Sequence, residues 1–313
     1  MSDQMAAGVL GSDAVATHVD VPPSPDGTGT REGNASLWAD ARRELMRNPL
    51  FLVSFAFVLV VVSMAAFPRL WTSADPTLCD VRLSRQSPSA EHPFGMDLLG
   101  CDYYSFAIYG ARPSLLIALG ATIGIVVVGG ITGLVAGYYG GWIDSLVSRV
   151  IDVFFSIPFL LGAIVFLVVV KSHSEWAIIS VLVILGWTTV ARIMRGSVLA
   201  AKNLDYVQAA RALGAPASRL MLRHILPNAV APVVVLATIS LGSFVSAEAT
   251  LTFLGVGLIQ PDQSWGIMIT YHEDYFKEDP WLLAFPCGLL VGTVLSFILM
   301  GDALRDALDP KLR

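Results

Sequence analysis

The chain has 313 residues, of which 55% are hydrophobic and 14% charged, with a net charge of −5. Soluble domains carry about 25% charged residues, so a water-soluble globule is excluded. The three cysteines form no CxxC pair and the five histidines no HExxH pattern, which excludes the common zinc and dithiol motifs; no basic patch of the kind nucleic acid needs is present.

Residues 1–35 are rich in Gly, Ser, Pro, Asp and Thr and read as a disordered tail. The first apolar stretch begins at Leu50, too far in for a usual signal peptide. Residues 36–48 read as an amphipathic helix capped by Ser36. Leu37, Trp38, Ala41 and Leu45 fall on one face, with Arg42, Arg43 and Arg47 elsewhere. Such a helix suits the membrane interface; a solvated linker helix is the alternative. Asn48-Pro49 then breaks it.

Six apolar runs approach or exceed the roughly 20 residues that cross a bilayer. They fall at 49–67, 114–137, 147–170, 176–199, 229–254 and 281–300. The predicted fold is all-α, with six transmembrane helices. A polar segment, 68–113, follows the first span, a tight turn at 171–175 the third, and a long loop, 200–228, the fourth. A permease-like core, 114–302, ends in a short charged tail, 303–313. If the N-terminus is cytoplasmic, fourteen of the 20 Lys and Arg residues lie on the cytoplasmic side, so both termini and the 200–228 loop are placed there. In the second run, Gly120 and Gly124, then Gly129, Gly133 and Gly137, are spaced by four. This spacing gathers small residues on one face and predicts a close helix–helix approach.

The 200–228 loop carries the strongest motif. Asp205 reads as an N-cap, with Gln208 completing a capping-box-like pair. Gly214 suits a left-handed C-terminal position, Pro216 can open a second helix, and Pro227 ends or kinks it. Two short helices joined at a glycine are predicted, with Ala209 and Ala210 small enough to enter a partner's groove.

Here the chain resembles the permease subunits of ABC importers. Their cytoplasmic hallmark is E-A-A, three residues, G, a spacer, then I-x-L-P or a close variant. Gln208-Ala209-Ala210, Leu213-Gly214 and Ile225-Leu226-Pro227 match it, with Gln208 replacing the usual Glu. The resemblance implies the type I importer permease fold and a coupling helix seated in an ATPase cleft. A second match, His92-Pro-Phe-Gly-Met-Asp97-Leu-Leu-Gly100-Cys-Asp102 followed by Gly110-Ala-Arg112-Pro-Ser-Leu115, resembles the C-type subunit of dipeptide, oligopeptide and nickel permeases. The 152–158 and 248–257 segments and the Trp265-Gly266 pair match as well, so the likeness covers about residues 40–313.

It implies a multi-pass protein of the bacterial cytoplasmic membrane, with a B-type sister permease and an extracytoplasmic peptide-binding lipoprotein. It also implies two ATP-binding subunits or one fused ATPase. No cofactor belongs to this chain: ATP and Mg2+ go to the ATPase partners, because none of the four lysines follows a glycine as a phosphate-cradling loop requires. Dipeptides, longer peptides, nickel chelates and haem remain open as cargo. An ion-coupled secondary transporter is the rival from another class, but paired mid-membrane charges and inverted repeats are not evident. A membrane enzyme would need a nucleophile–base or metal cluster, and none appears.

Cys101 stands where the family usually has Arg, and Cys79 lies upstream in the same extracytoplasmic segment. A Cys79–Cys101 disulfide is expected on that oxidising face, closing a loop of roughly 20 residues worth about 3 kcal/mol. Cys287 reads as a buried small apolar residue. Asp152 and Glu248 are the intramembrane ionisable candidates. Asp152 is expected to pair with Arg149; for Glu248, an interhelical hydrogen bond and a place in the cargo path stay open.

Overall fold

A computed structural model describes residues 37–308. The expected tail at 1–35, the Ser36 cap and residues 309–313 lie outside the described residues. The described residues are helical apart from loops and two isolated bridges, Cys79 to Cys101 and Met96 to Asp102.

Helix α1 (Leu37–Leu45) packs on the last helix of the chain. Ala41 is buried, while Arg42, Arg43 and Arg47 are exposed. The Asn48 side chain accepts the N–H groups of Leu50 (3.0 Å) and Phe51 (3.3 Å) and so caps α2 (Pro49–Ala66). Pro49 fits the first helical position because its missing N–H would be unsatisfied there anyway. Helix α2 is apolar all round. Ser54, Val58, Val61 and Met64 form its buried stripe, and Val53, Leu59 and Val62 are bare, the pattern of a helix with lipid on its outer side.

Helix α3 (Tyr103–Tyr139) spans 37 residues. It begins eleven residues before the expected second span, so the polar segment ends at Asp102 rather than at residue 113. Asp102 caps α3 by accepting the Ser105 N–H at 3.0 Å, and Tyr103, Ala107, Ile108 and Ala111 are buried at helical spacing. This early packing carries the helix through Pro113.

The expected third span is two helices, α4 (Gly141–Phe155) and α5 (Phe159–Val170), bent by 84°. Pro158 is the cause, since it lacks an N–H and pushes Ile157 out of the helical region. Helix α6 (Glu175–Ala201) follows, capped by Ser174. Among the described residues, five helices are long and apolar enough to cross a membrane, and the bent pair, counted as one span, brings the number to six.

After α6 come α7 (Asp205–Ala212), the single turn α8 (Ala217–Arg219), a wide π-helical turn (Leu220–Ile225) and the short α9 (Leu226–Ala229). They lead into α10 (Ala231–Phe253). Helix α11 (Trp265–His272) is short, and α12 (Trp281–Leu308) runs eight residues past the expected end of the sixth span. Ala303 and Ala307 are buried in that extension, where the sequence reading has a free tail.

The core is built on α3. It packs most extensively on α6, and α10 lies against both α3 and α12. The glycine stripe faces α6. A Cβ on Gly129 would stand 2.5 Å from the Trp187 carbonyl oxygen, and one on Gly133 2.4 Å from that of Ala191. Only hydrogen fits, so the two backbones touch.

Candidate functional site

The 205–227 segment divides into an anchored face and a bare face. Val207, Leu220 and Ile225 are fully buried, and Ala210 and Leu226 are half-buried against the same core. Gln208, Ala209, Gly214 and Pro227 are exposed, and Leu213 is 88% exposed. Gly214 has φ +80°, and a Cβ there would meet nothing within 4 Å; its role is to turn the chain in the left-handed region. Leu204 rather than Asp205 occupies the N-cap position, and no side chain caps α7. Gln208 donates instead to the Lys202 carbonyl at 3.0 Å, so the expected capping box does not form. The Tyr206 hydroxyl reaches the His224 carbonyl at 3.2 Å and ties α7 to the π-helical turn. Pro227 sits in the first turn of α9 and leads onward into α10 rather than ending the helix.

At the opposite end of the bundle, the Cys79–Cys101 disulfide closes the cap formed by residues 68–102. The surrounding motif is a scaffold of turns. The Asp97 carboxylate accepts the N–H groups of Leu99 (2.8 Å) and Cys101 (2.7 Å), and Asp102 pairs with His92 at 3.0 Å. Gly100 has φ +74°, and a Cβ there would stand 1.9 Å from the Asp80 carbonyl. Arg85 bridges this cap to the segment before α12, bonding Asp279 and, at 2.5 Å, Glu278. Asp279, then Glu278, holds the Arg85 guanidinium above its ordinary pKa.

The profile of binding-protein-dependent transport system inner membrane components matches residues 129–313, and that of the N-terminal TM domain of oligopeptide transport permease C matches residues 36–89. The oligopeptide transport system permease protein OppC of Bacillus subtilis is 37% identical over 89% of this chain and 91% of its own length. This chain belongs to the family of binding-protein-dependent transport system inner membrane components. The permease is also similar to the glutathione transport system permease protein GsiD of Pectobacterium atrosepticum, at 34% identity over 88% of this chain and 92% of that one. Among solved structures, the MetNI methionine ABC transporter in an inward-facing conformation matches with TM-score 0.52 and 24% identity. That match covers 65% of the permease and 96% of the other chain, and it shows the shared fold. The permease is a multi-span inner membrane protein.

Its two intramembrane candidates have different surroundings. Asp152 is exposed and lies 3.6 Å from Arg192, not paired with Arg149. Arg149 sits three residues away on α4, whereas Arg192 reaches over from α6 and lies on the Phe155 ring at 4.3 Å. Glu248 is fully buried and ties three parts of the fold together. Ser114 of α3 donates to one carboxyl oxygen at 2.9 Å, and Thr252 (3.1 Å) and Ser264 (3.0 Å) donate to the other.

Sequence reasoning missed several partners. Ser264 is the N-cap of α11, a role its place before Trp265-Gly266-Ile267 signals. Arg195 of α6 grips Asp144 of α4 through two hydrogen bonds, one of them at 2.6 Å. Trp265 donates to the Ala107 carbonyl at 2.9 Å and pins α11 to α3. Only the tertiary fold pairs these residues.

Proposed function

We propose that this permease forms half of the translocation pathway of an ATP-driven importer of di- and oligopeptides, and that the 205–227 segment receives the driving force. The carrying observation is the two-faced build of that segment: Val207, Leu220 and Ile225 fix it to the bundle, while Ala209, Leu213 and Gly214 stand bare. An exposed leucine beside small residues is the surface a partner's cleft can bury. Because α9 runs directly into α10, a push on α7 moves a membrane helix as a lever does.

The orientation that fits places both termini and this segment in the cytoplasm and the disulfide-closed cap outside. The bias of Lys and Arg along the chain supports it, as does the oxidising chemistry a disulfide needs. The peptide cargo is supported by the match to the oligopeptide permease domain and by the OppC and glutathione permease relatives. The assembly we envisage adds a sister permease, two ATP-binding subunits or one fused ATPase, and a lipoprotein that delivers peptide to the outer cap. ATP and Mg2+ are bound by the ATPase. Closure of its dimer drives the bundle outward-facing, and hydrolysis returns it inward-facing.

The test is uptake of labelled peptide into liposomes holding the complete complex. Gly214→Trp is expected to leave insertion intact and to abolish uptake while ATP hydrolysis continues. Unchanged uptake rejects the coupling role, and uptake without ATP rejects the ABC reading.

A further inference from the structure

Beside the bend between α4 and α5 lies a chamber of about 440 Å³. Its lining includes Pro158, Phe159, Thr188, Thr189, Ser240 and Ser243. Two observations bear on what it can hold.

The first is backbone. The N–H groups of Ser156 and Ile157 turn back into α4, and the Pro158 carbonyl accepts from Gly162. Among the described residues, the carbonyls of Phe155, Ser156 and Ile157 and the N–H groups of Phe159, Leu160 and Leu161 find no protein partner, and no side chain caps α5. Unpaired backbone at membrane depth is tolerated only where it is buried in protein or lines a hydrated cavity.

The second is a set of hydroxyls. In membrane helices, Ser and Thr can bond the carbonyl four residues back. Thr132, Ser180, Thr238, Thr250 and Thr293 all do so here, at 2.7–3.0 Å. Thr188, Thr189 and Ser240 do not, and they make no other hydrogen bond among the described residues. Thr188 is only 3% exposed, so its hydroxyl is nearly enclosed and still unpaired. The lining has no charged side chain, and the nearby Arg192 and Asp152 face each other as a pair.

We propose that this chamber is where the permease contacts cargo in transit, holding the main-chain amides of an extended peptide through the free hydroxyls of Thr188, Thr189 and Ser240 and the open backbone at Phe155, Ile157 and Phe159. A peptide main chain offers one donor and one acceptor at nearly every residue whatever its side chains, which complements a lining of donors and acceptors without charge. The proposal rests on the peptide-import reading above.

Two measurements on the complete complex in liposomes test it. In the first, the Thr188→Val, Ser240→Ala double variant removes two hydroxyls at nearly constant shape. Peptide uptake per assembled complex is expected to fall roughly tenfold, whereas Thr132→Val, whose hydroxyl is already paired within its own helix, leaves uptake unchanged. Uptake by the double variant equal to that of the parent overturns the proposal. In the second, Ser240→Cys in a Cys287→Ser background is treated with a membrane-impermeant maleimide. Labelling that slows when peptide-loaded binding protein and a non-hydrolysable ATP analogue are added supports the proposal. A thiol that stays unlabelled is covered by the sister permease or by lipid, and the proposal falls. If the parent complex imports no peptide, the cargo reading fails on its own, and the labelling still reports whether the chamber is open to water.

Discussion

Ser264 Oγ donates to Glu248 at 3.0 Å while accepting the Ile267 N–H at 3.2 Å. One hydroxyl thus caps α11 and fastens it to α10. Thr252 repeats the arrangement, accepting the Leu258 N–H and donating to the same carboxyl oxygen. In both cases the backbone donor occupies the hydroxyl oxygen and turns its hydrogen toward Glu248.

Glu248→Ala therefore strands three buried hydroxyls at once. Buried groups left without partners cost about 1–3 kcal/mol each, so a loss of about 3 kcal/mol or more is expected. Thermal unfolding of the purified permease reads it. Glu248→Gln keeps one acceptor oxygen and is expected to lose less; equal losses would count against the hydrogen-bonded knot.

The glycine stripe supplies a matched pair. Gly133→Ala sets a methyl 2.4 Å from the Ala191 carbonyl oxygen, whereas at Gly130 the nearest atom is the flexible end of Met194 at 3.9 Å. Gly133→Ala is expected to cost about 1–3 kcal/mol by forcing α3 and α6 apart, and Gly130→Ala to be near neutral. Denaturation midpoints of the two variants settle the contrast.

Within the 205–227 segment, burial separates folding from docking. Ile225→Ala empties a fully buried site and is expected to destabilise by about 2–5 kcal/mol. Leu213→Ala removes a bare side chain, so its stability is expected to match the parent. Under the coupling proposal it weakens capture of the ATPase subunit in a pull-down; full capture would move the docking contact elsewhere.

Removing Cys79 and Cys101 together as serines releases the 68–102 cap. A loss of about 3 kcal/mol is expected from the unfolded-state loop, read as faster proteolysis within residues 68–102 with the spans intact. Arg85→Ala is expected to loosen the same cap by a smaller amount, because the guanidinium is partly exposed and the ion pairs are screened. A double-mutant cycle of Arg85→Ala with Asp279→Ala is expected to show only weak coupling, because solvent screens the pair.

Particular residues mark where the sequence was readable. Gly214 announced a left-handed turn, and its φ of +80° agrees. The four-residue glycine spacing announced a close helix contact, and α6 supplies it. Asp205 looked like an N-cap but lies one position inside α7, because local capping preference yields to where packing starts the helix. The 147–170 run read as one span because hydropathy sums composition along the chain and carries no direction. Pro158 held the only local sign of the 84° bend.

The amino-acid sequence by itself determined the helical membrane architecture and the family motif, because apolar run length, glycine spacing and motif order are properties of the chain. Only the tertiary structure decided that Glu248 meets Ser114 and Ser264, that Asp152 faces Arg192, and that the bend at Pro158 lies beside unpaired hydroxyls from α6 and α10. Each of these joins residues far apart in sequence. Their hydrogen bonds and cavities depend on helix directions, which close packing sets and linear pattern does not encode.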